Sequence, residues 1–322
     1  MERITVDPEA PDRATLASAA VALRAGGLVA FPTETVYGLG AAAFDEKAVA
    51  RVFAAKGRPS HDPLIIHVAS GGDLSALFES ITPTMQRLID TYWPGPLTIV
   101  APKHRKVPLS VTAGRDTVAV RIPAHPVATV LLELAGIPVA APSANRFSYI
   151  SPTSAEHVAA DLSDSLDVLV DGGPTPIGIE STIVSVEGDV VSVLRRGAVV
   201  IDGAVAGDDR PTSMAPGRLP THYAPVTPAF ALPAGGMFEG DGDRGVVVGY
   251  DDSKAPGGWR RRSLGERGDL TSVARNLYRV LREVDASEPS VIVIEMTGLD
   301  GLGAAIDDRI RRAAGGRVRA SS

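Results

Sequence analysis

Phe-Pro-Thr-Glu-Thr-Val-Tyr-Gly-Leu-Gly, residues 31–40, follows directly from the apolar run Leu28–Phe31, whose composition predicts a short β-strand. The chain therefore leaves a strand and enters a stretch with three hydroxyl groups, a carboxylate and two glycines. The glycines, with an alanine three residues on, match the spacing of a dinucleotide fingerprint. They lie seven residues past the strand instead of at its end, which weakens that match. The hydroxyls belong either to turn residues or to a ligand site.

Outward from this stretch, β-type runs alternate with amphipathic helical patterns over about the first 200 residues. This alternation predicts an α/β domain built on a large twisted mixed sheet. The predicted helices are Thr15–Ala25, Glu46–Lys56, Pro126–Leu134 and Ser154–Leu162. The further predicted strands are Leu64–Val68, Leu97–Ala101, Val118–Ile122, Val139–Ala141, Val168–Val170, Thr182–Val186 and Val191–Leu194.

A change of composition divides the chain into three parts. The first domain is predicted over residues 1–205. Residues 206–243 are irregular, rich in glycine and proline, and contain PGRLPTHYAP at Pro216–Pro225, which is typical of a functional linker or lid. Residues 244–322 predict a small βαβα, Rossmann-like second domain with a parallel sheet. Its predicted elements are Gly245–Tyr250, Leu270–Glu283, Val291–Met296 and Leu302–Ala314.

Composition excludes several classes of protein. The 322 residues include no cysteine, which excludes disulfides, thiolate metal sites and cysteine nucleophiles. The net charge of −6 argues against a general nucleic-acid binder. The opening MERITVDPEA is no secretory signal, and apolar runs are far shorter than the roughly 20 residues of a bilayer span. A cytoplasmic protein is expected.

Four cations stand at the borders of predicted elements. Lys56 and Arg58 flank a glycine, where an ammonium and a guanidinium either converge on one anion, such as a triphosphate, or complement a helix dipole. Arg121 lies in an apolar strand and needs either a salt bridge or an anionic ligand. Arg195 ends a strand and is either a ligand-binding or a solvated residue. His67 alone is typical of a satisfied core histidine.

Small and polar residues follow the same strands. Ala141, Ser143 and Asn145 lie in AAPSAN, and Ser151 and Ser181 follow in SPT and GIESTIV. Small residues let a backbone approach a ligand closely, and hydroxyls and amides donate to oxyanions, although ordinary turns use the same residues. No G-x-S-x-G, HExxH or G-x-x-x-x-G-K-[ST] pattern occurs. Cations and hydroxyls without a nucleophile favour phosphoryl or nucleotidyl transfer.

These motifs, in this order, resemble the YrdC-like threonylcarbamoyl-AMP synthase family in its long two-domain form. The resemblance rests on FPTETVYGLG, KGRPxxxPL, PGPLT, TVAVRIP, APSAN, SPT, DGG, GIESTIV and LRRG. PGRLPTHYAP resembles the interdomain linker of that family, and LGAAIDDRIRRAA its C-terminal domain. The resemblance covers nearly the whole chain.

The resemblance implies a YrdC-like fold and a reaction. Threonine and bicarbonate give an N-carboxylated threonine, whose carbamate oxygen attacks the α-phosphate of ATP and releases pyrophosphate. The product, threonylcarbamoyl-AMP, is passed to a transferase that modifies an adenosine of tRNA. Magnesium is implied as the companion of ATP, and a stable nucleic-acid complex is not expected.

The resemblance also implies residue roles. Threonine is surrounded by Thr35, His67, Arg121, Ala141 and Ser181, with Arg121 on its carboxylate. ATP is contacted by Lys56, Arg58, Asp62, Thr117, Ser143, Asn145, Ser151, Arg195 and Tyr223. Tyr223 is the lid over the nucleotide, and catalysis is carried by Lys56, Arg58 and Arg121.

Three departures from the family pattern stand out. Asp62 replaces a common asparagine, and a carboxylate beside phosphates is unfavourable. Arg146–Tyr149 replaces a stretch of small residues at the expected rim of the cleft. The pair Asp307-Asp308 differs from the usual apolar residue and asparagine, within the second domain.

Two alternatives belong to other classes. One is an RNA-binding or ribosome-associated factor that uses the same cationic cleft, with Lys103, Arg105, Lys106 and Arg218 on its concave face. An aromatic content of 5% counts against it, because few rings are present to stack on bases. The other is a carbamoyl-adenylate enzyme of metal-centre maturation, whose zinc-finger modules have no counterpart in this cysteine-free chain.

Overall fold

The computed structural model describes residues 1–206, 221–237 and 245–319. Within them, eleven strands form one mixed sheet in the order β1-β8-β2-β3-β7-β4-β6-β5-β9-β10-β11. These strands are β1 (Glu2–Thr5), β2 (Val29–Phe31), β3 (Gly38–Ala42), β4 (Ile65–His67), β5 (Leu97–Pro102), β6 (Thr117–Arg121), β7 (Val139–Ala140), β8 (Val168–Asp171), β9 (Thr182–Glu187), β10 (Val190–Arg195) and β11 (Val205–Ala206). The predicted α/β fold with a large mixed sheet is confirmed.

Helices cover both faces of this sheet because successive side chains of a strand point to opposite faces. They are α1 (Arg13–Arg24), α2 (Glu46–Lys56), α3 (Pro83–Tyr92), α4 (Leu109–Thr112), α5 (Pro126–Ala135) and α6 (Ala155–Leu162), with a 3₁₀ turn at Leu74–Ala76. In β2, Val29 and Phe31 pack with α1 and α5. Ala30, between them, packs with α2, α3 and α6 in the opposite core.

Strand β2 forms an antiparallel hairpin with β3, in which Phe31 pairs with Gly38. A Cβ at Gly40 would approach the Phe31 ring to 2.8 Å, so the glycine allows the ring to pack against the strand. The chain thus continues from β2 through a six-residue loop into a strand. The dinucleotide fingerprint is wrong here, because that motif requires a helix after the turn.

Two local features place the predicted cations. Helix α2 begins after Asp45, whose side chain accepts from the backbone N–H groups of Lys47 and Ala48. It ends at Gly57, which adopts the left-handed conformation with φ 63°, so the chain turns between Lys56 and Arg58. In the sheet, β4 and β6 are parallel and pair His67 with Arg121.

The second domain contains a parallel sheet, as predicted, with four strands in the order β12-β15-β13-β14. Its elements are β12 (Ala229–Leu232), β13 (Val246–Gly249), β14 (Arg260–Ser263), α7 (Leu270–Asp285), β15 (Ile292–Glu295) and α8 (Leu302–Ala313). Strand β12 lies inside the segment 206–243 that the sequence assigns to the linker. Strand β14 was not predicted, because three of its four residues are arginines.

Helices α7 and α8 share a core with one face of the second sheet. That core also includes Ile150 and Ile179 of the first domain, so the two domains pack directly against each other. Among the described residues, no helix combines the length and apolar character needed to cross a bilayer.

Candidate functional site

A cavity opens where the loops after β2 and β7 meet the ends of β4, β6 and β10. Its lining includes nine of the predicted site residues: Thr35, Arg58, His67, Arg121, Ala141, Ser143, Ser181, Arg195 and Tyr223. Five predicted residues do not line it: Lys56, Asp62, Thr117, Asn145 and Ser151. The cavity is thus bordered by three guanidinium groups, and most of the predicted residues lie together.

Arg121 is both an ion-pair member and a cavity residue, although the sequence posed these roles as alternatives. Its guanidinium lies 2.7 Å from a carboxylate oxygen of Glu34. It also donates to the Thr35 hydroxyl (2.9 Å) and to the carbonyl of Gly95 (3.2 Å). Arg121 is only 3% exposed, so this charge is held in place before any ligand arrives.

His67 presents a neutral ring beside Arg121. Burial, aided by the charge of Arg121, lowers the pKa of His67 to about 3, so its imidazole carries no charge near pH 7. Its Nδ1 has no hydrogen-bond partner among the described residues. A buried ring nitrogen without a partner is suited to bind a polar ligand.

Arg195 is buried at the wall of the cavity, so the solvated-arginine interpretation is wrong. Its guanidinium donates to the carbonyl (2.9 Å) and the hydroxyl (3.2 Å) of Ser181. The Ser181 hydroxyl lies 2.8 Å from that of Thr98. Burial lowers the pKa of Arg195, although its ordinary value lies far above neutrality.

Lys56 lies behind the cavity wall and organises the AAPSAN loop. Its ammonium donates to the carbonyl of Asn145 (2.6 Å) and also to that of Ser143. Burial lowers the pKa of Lys56 well below its ordinary value. A lysine ammonium has three hydrogen-bond donors and no acceptor, so it can bind several backbone carbonyl groups at once. Its predicted place near the phosphates stays a prediction.

Arg58 and Asp62 form a buried ion pair of 2.9 Å, and Arg58 also donates to the carbonyl of Pro63 (2.9 Å). Burial raises the pKa of Asp62. The guanidinium beside this carboxylate offsets the repulsion that the sequence led us to expect between Asp62 and phosphate. Arg58 faces the cavity, and the contact of Asp62 with ATP stays a prediction.

Glu180, which had no predicted role, accepts hydrogen bonds from three separate parts of the chain. It accepts from the Ser151 hydroxyl (2.6 Å), the Tyr278 hydroxyl (2.9 Å) and Nε of Arg309 (2.7 Å). Burial opposes its charged form, but Arg309 and Arg195 hold the pKa of Glu180 below its usual value. Tyr278 carried no signal, since an aromatic residue at helical spacing is indistinguishable from core. Arg309 is one of three arginines in α8, and nothing in the sequence sets it apart.

The linker closes the cavity with two adjacent rings, those of His222 and Tyr223. Tyr223 adopts a positive φ of 60° and is fully buried, with its ring centroid 4.1 Å from that of His222. Its hydroxyl has no partner among the described residues. Ala224 donates to the carbonyl of Ser148, which ties the linker to the segment Arg146–Tyr149. The expected lid over the nucleotide stays a prediction.

The described residues of the RNA-binding alternative, Lys103, Arg105 and Lys106, do not line this cavity. Lys103 and Arg105 border a separate surface depression together with Glu79 and Asp116. Lys103 already donates to the carbonyl of Val107 (3.0 Å). Arg218 lies outside the described residues, as do the first five residues of PGRLPTHYAP.

Comparisons with known proteins agree with this geometry. The family model Sua5_yciO_yrdC, described as "Telomere recombination", matches residues 21–197. A model described as "Threonylcarbamoyl-AMP synthase, C-terminal domain" matches residues 182–315. The chain is 41% identical to the threonylcarbamoyl-AMP synthase of Pyrococcus abyssi (strain GE5 / Orsay), over 92% of this chain and 93% of that one. It is 40% identical to the protein of that name from Bacillus subtilis (strain 168), over 98% and 96%.

Solved structures show the same similarity. The crystal structure of P. abyssi Sua5 complexed with L-threonine superposes with a TM-score of 0.90 at 38% identity and covers 99% of both chains. E. coli YciO superposes with a TM-score of 0.55 at 22% identity, over 63% of this chain and 98% of that one. The second comparison concerns the fold of the first domain alone.

Proposed function

Because this chain belongs to the Sua5/YciO/YrdC family, we propose that it is an enzyme that makes threonylcarbamoyl-AMP and pyrophosphate from ATP, L-threonine and bicarbonate. The observation that carries the proposal is one cavity bordered by three buried guanidinium groups, those of Arg58, Arg121 and Arg195. Two anionic substrates, an amino acid carboxylate and a triphosphate, need several fixed cations in one place. Guanidinium groups bind both bidentately.

Threonine binds at the Arg121 side of the cavity. Arg121 binds the carboxylate of threonine, and the ion pair with Glu34 holds the guanidinium in position for that contact. Thr35, His67, Ala141 and Ser181 complete the pocket. The neutral His67 ring can accept or donate a hydrogen bond without adding a positive charge beside the amino group of threonine.

The amine of threonine and bicarbonate form a carbamate with loss of water. A carbamate oxygen then attacks the α-phosphorus of ATP, a new P–O bond forms, and the bond to the leaving pyrophosphate breaks. Arg58 and Arg195 stabilise the negative charge that builds on the phosphoryl oxygens, where preorganised donors contribute most in a buried site. The protein therefore accelerates the reaction by positioning the substrates and by stabilising charge, and it supplies no nucleophile of its own.

Magnesium would accompany ATP and would be held by phosphate oxygens and water, as small hard cations at triphosphates commonly are. Among the described residues, no group of three His, Asp or Glu side chains is placed to hold a metal ion. Tyr223 and His222 cover the nucleotide and exclude water from the adenylate. The activated product then passes, in the cytoplasm, to a transferase that modifies tRNA.

Pyrophosphate release from ATP and magnesium tests the proposal, with threonine and bicarbonate omitted in turn. Release that needs both substrates supports it. Release that continues without threonine contradicts it. The matched variants are Arg195→Gln, which alters the buried cavity residue, and Arg196→Gln, which alters its exposed neighbour. We expect loss of turnover in the first and near-normal turnover in the second.

A further inference from the structure

Glu180 connects the cavity of the first domain to both helices of the second. It lines the cavity and is 6% exposed. One carboxylate oxygen accepts from Ser151, beside the cavity, at 2.6 Å. The other accepts from Tyr278 on α7 at 2.9 Å and from Arg309 on α8 at 2.7 Å. These three partners are separated from Glu180 by 29, 98 and 129 residues in sequence.

The same two residues of the second domain contact the linker ring. The Tyr223 ring centroid lies 5.7 Å from that of Tyr278. The guanidinium carbon of Arg309 lies 5.2 Å from the Tyr223 centroid, within cation–π range. Arg309 is completely buried, and its other nitrogens donate to Asp308 (2.7 Å) and the carbonyl of Arg196 (2.8 Å). Tyr278 and Arg309 therefore touch both Glu180 and Tyr223.

We propose that Tyr278 and Arg309 are positioning residues for the nucleotide: through Glu180 they fix the Ser151 hydroxyl, and through direct packing they fix the Tyr223 ring. Docking of the second domain thereby completes the ATP site. This inference rests on the proposed function, because it takes Ser151 and Tyr223 as ATP contacts.

The structure supplies a matched comparison for this idea. Tyr149 also donates its hydroxyl across the domain interface, to the carboxylate of Asp285, at the same 2.9 Å. Tyr149 does not line the cavity. If Tyr278 only joins the domains, Tyr278→Phe and Tyr149→Phe should have the same consequences, since each removes one hydroxyl from an interdomain bond to a carboxylate.

The test measures ATP affinity by calorimetry and the KM values for ATP and threonine, in the full chain. For Tyr278→Phe we expect ATP affinity to fall about tenfold, the size of one lost hydrogen bond to a charged group. The KM for threonine should stay within about twofold, and Tyr149→Phe should leave both constants within about twofold. Equal losses in the two variants, or equal losses for both substrates, would overturn the proposal.

The pH dependence of ATP affinity gives a second test, because a residue that only joins the two domains would not change it. The charged groups around Glu180 are Arg309 on α8 and Arg195 on β10, with the hydroxyls of Tyr278 and Tyr223 beside them. Removing Arg309 favours protonation of the carboxylate, so the acid limb of ATP affinity in Arg309→Met should move to higher pH. An unmoved limb in a folded variant would contradict the role of Arg309.

The outcomes separate this inference from the proposed function. If the unchanged chain binds ATP but releases no pyrophosphate with threonine and bicarbonate, the proposed function fails, while the ATP affinities of the variants still decide the positioning role. If the unchanged chain binds no ATP, both fail. Thermal unfolding checks each variant, and if Arg309→Met does not fold, Tyr278→Phe, which removes a single oxygen, decides alone.

Discussion

At Arg121 one guanidinium serves the fold and the ligand together. Arg121→Ala removes the partner of Glu34 and leaves a buried carboxylate without compensation. We expect the free energy of unfolding to fall by about 3–5 kcal/mol, the usual cost of breaking a buried ion pair from one side. We also expect threonine-dependent pyrophosphate release to be lost. Denaturant unfolding and the release assay measure the two effects.

A double variant separates the two roles of Arg121. Glu34→Gln with Arg121→Gln removes both charges, so it should recover most of the stability lost in Arg121→Ala. It should not recover the use of threonine, because no cation remains for the carboxylate. A double variant that uses threonine normally would show that Arg121 does not bind this substrate.

His67 makes the stability of the folded chain depend on pH. Its pKa is about 3 in the folded state and about 6.5 when unfolded, so below pH 6.5 only the unfolded chain takes up this proton. Stability is therefore lost as pH falls from 6.5 toward 3. In His67→Gln the slope of unfolding free energy between pH 4 and 5.5 should decrease by about 1.4 kcal/mol per pH unit. An unchanged slope would refute the buried neutral ring.

At the scale of single elements, most strands and helices with a side-chain pattern were predicted. Helix α3 was missed although Thr82 caps it and Pro83 lies in its first turn. Other elements were missed because packing decides them. Strand β3 is glycine-rich and has low intrinsic strand propensity, yet it forms because Gly40 accommodates the Phe31 ring. Strand β14 reads Arg-Arg-Arg-Ser and forms by pairing with the apolar β13. No local signal reveals either partner.

Gly178, in the GIEST segment before β9, lets helix α7 pack closely against the first domain. Its φ is 87°, and an added Cβ would lie 2.5 Å from the carbonyl oxygen of Ala274 on α7. Gly178→Ala therefore forces α7 away from the first domain. We expect an overpacking cost of about 1–3 kcal/mol, in addition to the left-handed strain of alanine.

Gly188 provides the control for that prediction. It has a φ of 60°, and an added Cβ there meets no atom within 4 Å. Gly188→Ala should cost only the backbone strain, roughly 1–2 kcal/mol. Denaturant unfolding of both variants measures the difference, and limited proteolysis should cleave near the interface faster in Gly178→Ala alone. Equal behaviour of the two variants would contradict the close approach.

At the scale of the whole molecule, charged residues of α7 hold the two domains together. Arg282 pairs with Asp161 of the first domain at 2.6 Å, and both side chains are buried. Arg282→Met leaves Asp161 with only the exposed Arg146 side chain, 4.0 Å away, and should lower the free energy of unfolding by about 3–5 kcal/mol. Arg279→Met, on the same helix, breaks a half-exposed pair with Glu283 and should cost less than about 1 kcal/mol.

Those two variants are compared by denaturant unfolding monitored through both domains. A loss in Arg282→Met no greater than in Arg279→Met would mean that the interface contributes little to stability. Cleavage of Arg282→Met into two separately folded pieces by protease would instead locate the loss at the interface, as we expect.

The site residues that lie in sequence motifs of the first domain could be predicted from the sequence. Residues such as Arg58, His67 and Ser181 stand in recognisable segments, so their meeting in one cavity followed from the expected fold. Tyr278 and Arg309 were not predictable. They lie 98 and 129 residues from Glu180, and only the docking of the second domain brings them to it.

The proposed reaction joins threonine, bicarbonate and AMP in one molecule, so the mass of the product tests it in a single measurement. The full chain is incubated with ATP, magnesium, threonine and ¹³C-labelled bicarbonate. The nucleotides are then separated, and their masses are measured by mass spectrometry. We predict a threonine-containing adenylate that carries the label and disappears when threonine is withheld. AMP or ADP without an attached, labelled carbamoyl group would refute this reaction.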